Sequence, residues 1–117
     1  MKKLILAITL MSASLIVAAE KPHTVLHVIT VKWKDGTTKD QIQKAMDAVD
    51  KLGKEYPGIK HVWLRSIKVQ GDKQNAIVME FESEKSLKDY VDSPAQKHFY
   101  EVYLPLREES TTFDITN

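Results

Sequence analysis

Histidines are the side chains best suited to acid-base chemistry in this chain of 117 residues, which contains no cysteine. His23, His27, His61 and His98 show none of the spacings that bind metals, such as two histidines four residues apart on a helix. The lack of cysteine excludes disulfides and thiolate catalysis. The sequence also has no nucleophile elbow and no glycine-rich phosphate loop. We therefore expect no metal and no cofactor.

Three polar residues remain as candidates for a site. His27 lies on the helix-facing side of a predicted strand, as a hydrogen-bonded core histidine or as part of a pocket. Tyr90 has an apolar ring with a polar tip, which suits a pocket rim or the core. Gln96 follows Ser93-Pro94, a helix start in which serine caps the free amides. Its amide can orient a polar ligand or cap a loop, but it cannot act as a base.

The N-terminus has the pattern of a secretory signal peptide. Two lysines precede an apolar run, which ends in the small residues Val17-Ala18-Ala19. The run is shorter than the ~20 apolar residues that span a bilayer, which favours cleavage over a retained anchor. We predict a signal peptide at 1–19, a polar leader at 20–24 and one domain at 25–117, exported to the periplasm or the cell exterior.

The charge of the mature chain argues against nucleic acid as a partner. The full chain has 17 lysines and arginines against 16 acidic residues, and cleavage removes two lysines, leaving a net charge near −1. No basic stripe is visible. After cleavage we expect no membrane segment either.

Hydrophobic periodicity predicts the element order β-α-β-β-α-β. The predicted strands are 25–33, 59–69, 76–82 and 111–115, and the helices begin at caps Thr38, Ser83 and Ser93. This is the split βαβ, ferredoxin-like arrangement: an α+β fold with a four-stranded antiparallel sheet and its helices on one face.

The opposite face of this sheet has no cover within the chain. Strict alternation along the strands places these residues on it: Leu26, Val28, Thr30, Val62, Leu64, Ala76, Val78 and Phe113. An apolar face of this kind marks an interface, and we predict a homodimer formed through it. The same alternation puts His61 and Trp63 on the helix side, at the pocket, at a dimer edge or in ordinary packing. Trp33 is predicted to be in the core.

Four segments, in this order, resemble the stress-responsive A/B barrel (Dabb) domain of the dimeric α+β barrel superfamily. They are His27–Trp33, Tyr56–Ile59, Glu80–Ser83 with Leu87 and Tyr90, and Ser93–Ala95 with Phe113-Asp114. The resemblance implies a homodimer with a pocket between helices and sheet in each subunit. Family members include stress-induced proteins and at least one plant polyketide cyclase, so the resemblance does not imply one function.

The resemblance to the cyclase can be followed residue by residue. That enzyme pairs a catalytic histidine, two positions after the helix-starting proline, with an aspartate in the last strand, and tyrosines line its pocket. Asp114 matches the aspartate, Tyr90 matches one tyrosine, and His27 matches a first-strand histidine common in the family.

Two positions depart from the cyclase. Gln96 replaces the catalytic histidine, and Val49 replaces a second pocket tyrosine. His98 lies about 200° around the helix from Gln96 and is expected to point away from the pocket. Without its histidine, Asp114 is expected to be structural or exposed.

We therefore predict a protein that binds a small, mostly apolar molecule and is non-catalytic or cryptically catalytic. The predicted pocket residues are His27, Ile29, Val31, Ile77, Met79, Tyr90, Gln96, Phe99 and Val102. The alternative is a small cofactor-independent enzyme of the cyclase, lyase or monooxygenase type that uses His27 or Tyr90. A third possibility is a structural partner with a filled interior. A pocket into which His27 reaches would favour chemistry.

Overall fold

The computed structural model describes residues 18–117. The predicted signal peptide lies almost wholly outside this range and stays a prediction. The described elements are β1 (Val25–Trp33), α1 (Lys39–Glu55), β2 (Ile59–Trp63), β3 (Asn75–Phe81), α2 (Glu84–Tyr90), α3 (Pro94–Tyr103) and β4 (Arg107–Ile115). Across this range no helix has the length and apolar character needed to span a membrane.

The four strands form one sheet in the order β2-β3-β1-β4, and all neighbouring strands are antiparallel. Fully buried side chains of β1 and β3, including Val31 and Ile77, form one core with Val49 of α1 and Phe99 of α3. Trp33 belongs to the same core, as predicted. The α+β ferredoxin-like fold is therefore confirmed.

The first helix begins where the sequence indicates. The Thr38 hydroxyl accepts a hydrogen bond from the Gln41 backbone amide at 3.2 Å, and the Gln41 side chain accepts one from the Thr38 amide at 2.9 Å. This reciprocal pair satisfies two amides that the first helical turn leaves free. The helix then directs Ala45, Met46 and Leu52 into the core.

Two strand boundaries differ from the prediction. β2 ends at Trp63, not at residue 69, because the following segment leaves the sheet and Ile67 is fully solvent-exposed. In this segment the Ser66 hydroxyl donates a hydrogen bond to the Ala76 carbonyl and accepts one from the Ala76 backbone amide. β4 begins at Arg107 instead of residue 111, because the chain turns back into the sheet directly after Pro105 and pairs with the end of β1.

A β-bulge in β2 overturns part of the predicted sheet face. The register shifts between Ile59 and His61, so His61 lies opposite Glu80 and Trp63 opposite Val78. One extra residue in a strand reverses the side of every later side chain. His61 and Trp63 therefore lie on the open face, which strict alternation does not predict.

The same bulge turns Val62 and Leu64 toward the helices, so their predicted place on the open face is wrong. The side chain of Val62 lies against Gly53 of α1, where an added Cβ would come within 3.0 Å of it. Leu64 packs at the edge of the core beside Met46.

An apolar row crosses the whole open face. Trp63, Val78, Val28 and Phe113 lie side by side on the four strands, and Trp63 and Phe113 are 49% and 47% exposed. The other predicted members, Leu26, Thr30 and Ala76, lie on the same face in the neighbouring rows. No element of residues 18–117 covers this row.

Candidate functional site

A cavity of about 240 Å³ opens between the β1–β4 half of the sheet and helices α2 and α3. Its wall combines apolar and polar side chains: His27, Ile29, Leu87, Tyr90, Val91, Gln96, Tyr100, Tyr103, Arg107, Ser110 and Thr112.

The strands place the polar residues on one wall. In the antiparallel ladder, His27 lies opposite Asp114 and Ile29 lies opposite Thr112. Because side chains alternate along a strand, Ser110, Thr112 and Asp114 all project from the same side of β4 as His27 does from β1. Since β4 is an edge strand, this wall is partly open to solvent.

His27 and Asp114 form a close pair, with 2.5 Å between the histidine Nδ1 and an aspartate Oδ1. The histidine side chain is 15% exposed and the carboxylate 45%. The edges of Phe81 and Tyr90 pack against the imidazole, with ring centroids 5.8 and 6.5 Å away. A carboxylate at Nδ1 holds the proton there and leaves Nε2 as the basic nitrogen of the neutral ring.

Asp114 is exposed, as expected, but it does not lack a histidine partner. The resemblance places the histidine on α3, at the position of Gln96, whereas β1 supplies it through a cross-strand contact. His98 points elsewhere, as predicted, since its Nδ1 lies 2.7 Å from Glu55 of α1.

Gln96 is buried and both ends of its amide are engaged. Its Oε1 accepts a hydrogen bond from the Asp92 backbone amide at 2.7 Å, and its Nε2 donates to the Tyr100 hydroxyl at 3.2 Å. The first bond closes the α2–α3 turn, in which Asp92 has a φ of 64°. Gln96 therefore caps the loop, one of the two roles considered for it, and lies in the cavity wall, while its role in orienting a ligand stays a prediction.

Two tyrosines of the wall are neutral phenols at physiological pH. Burial raises the pKa of Tyr90 far above its usual value, and Tyr100 nearby adds to the shift. Burial also raises the pKa of Tyr103, against the opposing influence of Ser110 and Arg107. Both tyrosines can donate a proton in a hydrogen bond, but neither can act as a phenolate base near neutrality.

The end of the cavity near Tyr103 contains a cation. The guanidinium of Arg107 lies 5.6 Å from the centre of the Tyr103 ring, and its Nη1 donates to the Ser110 hydroxyl at 3.3 Å. The Tyr103 hydroxyl is buried and has no hydrogen-bond partner among residues 18–117.

Several residues predicted for the pocket do not line this cavity. Val31, Ile77, Met79 and Phe99 lie in the core, because the helices cover the middle of the sheet directly. Val102 is on the other side of α3, in a small separate groove with His98. Val49 is likewise a core residue and borders no cavity of this half of the sheet.

Part of the wall consists of residues that the sequence does not predict for the pocket: Leu87, Val91, Tyr100, Tyr103, Arg107, Ser110 and Thr112. For α3 a signal was present, since Gln96, Tyr100 and Tyr103 recur at helical spacing on one face. For β4 the strand was predicted too short, so the inward alternation of Ser110 and Thr112 was not recognised.

Comparison with known proteins places these features in a family. Residues 25–117 match the sequence model of the Stress Responsive A/B Barrel Domain. Olivetolic acid cyclase from Cannabis sativa is 29% identical over 96 residues, which cover 79% of this chain and 95% of the cyclase.

Two solved structures show the same fold. Hydroxynitrile lyase from Passiflora edulis has a TM-score of 0.72 at 18% identity, covering 80% of this chain and 93% of the lyase. A dimeric ferredoxin-like protein of unknown function from Thermobifida fusca has a TM-score of 0.69 at 18% identity, covering 82% and 92%.

Proposed function

The chain belongs to the stress responsive A/B barrel domain family, and on that premise we propose that it binds a small carbonyl compound and moves a proton on it. The observation behind this proposal is the 2.5 Å contact between Asp114 and His27, the histidine that lines the cavity. No cofactor is required for the reaction.

The cavity suits a small and mostly apolar molecule. Its volume of about 240 Å³ is below the range of about 300–1,000 Å³ typical of pockets for drug-sized ligands. Ile29, Leu87 and Val91 offer apolar contact, while Tyr90 and Gln96 offer polar contacts that would orient an oxygen atom.

His27 is the base in the proposed reaction. Its Nε2 takes a proton from a carbon next to the carbonyl group. The C–H electron pair forms the new C=C bond, and the C=O π pair moves onto the oxygen as an enolate forms. Asp114 stabilises the resulting imidazolium through Nδ1. Tyr90, neutral because burial raises its pKa, donates a hydrogen bond to the enolate oxygen. The proton then returns from Nε2 to the product, so the protein is unchanged.

The similarity to olivetolic acid cyclase supports this class of chemistry, but the histidine differs in position. In the resemblance described above the cyclase base is on α3, where this chain has Gln96. Here β1 provides the only imidazole that borders the cavity within residues 18–117.

A second candidate function is ligand binding without reaction. Gln96 favours it, because an amide stands at the catalytic position of the cyclase and both of its ends are already hydrogen-bonded. In this case His27 would only orient the ligand.

Deuterium exchange into acetophenone separates the two candidates. Its methyl protons lie next to a carbonyl and exchange slowly in neutral D₂O, and NMR follows their loss. We expect the protein to accelerate exchange by about 10²-fold, the low end of general-base catalysis. His27→Gln should abolish the acceleration, and Asp114→Asn should lower it by about tenfold or more.

His98→Gln is the matched control, since this histidine also pairs with a carboxylate but lies outside the cavity. Exchange at the buffer rate with acetophenone demonstrably bound would refute catalysis and leave binding alone. Equal losses in His27→Gln and His98→Gln would refute the assignment of the base.

The proposed working form is a homodimer joined through the open sheet face. The apolar row of Trp63, Val78, Val28 and Phe113 supports it, because exposed apolar patches of this kind mark interfaces. The similar Thermobifida fusca protein is itself described as dimeric.

Export is part of the proposal and rests on the pattern of residues 1–19. Mass spectrometry of the protein from a fractionated bacterial host should find Glu20 as the N-terminus in the periplasm or medium. An intact N-terminus in the cytoplasmic fraction would contradict export.

A further inference from the structure

We propose that the Arg107 end of the cavity is a carboxylate-binding site, so that the ligand is a small apolar acid. This inference rests on the proposed function, because it names the class of molecule that the cavity takes. The carboxylate would lie against Arg107, and the apolar body would extend toward His27.

Arg107 is a cation without a counter-charge. Among the ion pairs of residues 18–117 none involves it, although two carboxylates follow directly in the chain. Those carboxylates are committed to lysines: Glu108 lies 3.3 Å from Lys32, and Glu109 lies 3.4 Å from Lys73. A partly buried guanidinium on a cavity wall is therefore not paired with any carboxylate of residues 18–117.

The Tyr103 hydroxyl is the second observation. It is buried, Tyr103 is only 1% exposed, and the hydroxyl makes no hydrogen bond of good geometry in the part of the chain that the structure describes, although Ser110 and Arg107 lie close enough to lower the pKa of Tyr103. Buried polar groups nearly always have a partner, so an orphan hydroxyl beside a cavity indicates a ligand atom or a water. Ser110, whose hydroxyl accepts a bond from Arg107, adds a third polar group at the same end.

Carboxylate fits this set of groups better than a neutral oxygen does. A guanidinium presents two parallel N–H donors that match the two oxygens of a carboxylate, and the hydrogen bonds are strengthened by charge. The tyrosine hydroxyl, kept neutral by burial, can donate to the same anion. The guanidinium of Arg107 lies over the Tyr103 ring and donates one N–H of Nη1 to Ser110, which holds it in place and leaves its other N–H groups for the anion.

The two ends of the cavity then have different roles. His27, paired with Asp114 across the two strands, lines one end, and Ser110 lies on β4 four residues before Asp114, about 13 Å of strand away. Ile29 and Leu87 line the wall of the same cavity and would contact the apolar body. A small keto acid would place its anion at Arg107 and bring its acidic C–H toward His27.

Benzoate and benzamide test this inference because they have nearly the same shape and differ in charge. Each is titrated into ¹⁵N-labelled full-length protein at neutral pH, and the shifts of backbone amides and of the Arg107 side-chain Nε–H give the Kd. We expect benzoate to bind at least about tenfold more tightly than benzamide. Arg107→Gln should bring the ratio of the two Kd values close to one.

Two further variants keep the test decisive. Arg107→Lys retains the charge and should preserve a reduced preference for benzoate, which guards against a folding defect in Arg107→Gln. Tyr103→Phe should weaken benzoate severalfold with little effect on benzamide. A Kd ratio near one in the unmodified protein, or a ratio that Arg107→Gln leaves unchanged, would overturn the carboxylate site.

The result is separable from the proposed acid-base function. Benzoate has no acidic C–H, so His27→Gln should keep the preference for benzoate even though it loses exchange activity. If acetophenone binds and exchanges but benzoate shows no preference over benzamide, only the carboxylate site fails. If neither acetophenone nor benzoate shifts any cavity resonance, both the function and the carboxylate site fail.

Discussion

Trp63→Ala and Val62→Ala are expected to have opposite effects on dimerisation and on folding, although the two residues are neighbours in β2. The bulge between Ile59 and His61 turns Trp63 to the open face and Val62 toward α1. Strict alternation from Ile59 predicts the reverse. The pair of variants therefore tests both the bulge and the proposed interface.

The size of the effect at Trp63 follows from its exposed area. A tryptophan side chain can bury roughly 150–250 Å², and 49% of Trp63 is exposed, so about 100 Å² is available to a partner. At about 25 cal/mol per Å² this is about 2.5 kcal/mol per copy. Two-fold symmetry uses the residue twice, which gives an upper estimate of about 5 kcal/mol, or more than 10³-fold in Kd.

Val62→Ala should act on the folded protomer instead. The valine is half-buried against Gly53, so we expect a loss of about 1–2 kcal/mol in the free energy of unfolding and a dimer Kd within a few-fold of the original. Sedimentation velocity over a range of concentrations measures the Kd, and urea unfolding at fixed concentration measures stability.

Val102→Ala is the matched control, because this valine is 38% exposed on α3, away from the open face. It should change neither the dimer Kd nor the free energy of unfolding appreciably. If Val62→Ala dissociates the dimer and Trp63→Ala does not, then Val62 and not Trp63 lies on the open face, and the bulge in β2 is wrong. If neither variant changes the Kd, the open face is not the interface.

Two further outcomes follow from buried contacts. Gly58→Ala should destabilise the fold by about 1–3 kcal/mol, because the new Cβ would come within 2.6 Å of the Tyr56 ring. The ring cannot easily move, since the Tyr56 hydroxyl donates a hydrogen bond to the Ser86 carbonyl. Urea unfolding measures the loss, and an unchanged midpoint would contradict it. Tyr90→Phe should reduce the loss of stability at alkaline pH. Burial raises the folded-state pKa of Tyr90 above the ordinary value of 10.0, so above pH 10 the unfolded chain releases this proton first and stability falls, by up to about 1.4 kcal/mol per pH unit. Urea midpoints from pH 8 to 11 check it, and parallel declines in both proteins would refute it.

Much of the fold could be predicted because local signals and the global pattern agree. The capping box at Thr38 and the Ser93-Pro94 start are fixed by a few neighbouring residues, and both helices begin there. The face of β2 could not be predicted, because a bulge changes no residue type and is decided by pairing with β3. The length of β4 was missed for a related reason, since Arg107–Ser110 gain strand geometry only from their pairing with β1.

The sequence predicts several residues that border the cavity, but it does not predict which side chains contact each other. His27, Tyr90 and Gln96 were identified from residue type and resemblance, and all three border the cavity. The contact of His27 with Asp114 joins residues 87 positions apart and depends on the β1–β4 register, which no local pattern reveals. The position of the histidine in the related cyclase indicates α3, whereas the histidine of this chain lies on β1.

The protonation of the His27 ring is the most direct test of the proposed base. Long-range ¹⁵N NMR at pH 9, where an ordinary imidazole is neutral, assigns the proton to one ring nitrogen. We predict a proton on Nδ1, facing Asp114, and an unprotonated Nε2 whose resonance moves when acetophenone is added. A proton on Nε2, or an Nε2 resonance that acetophenone leaves unchanged while it binds, would contradict His27 as the base.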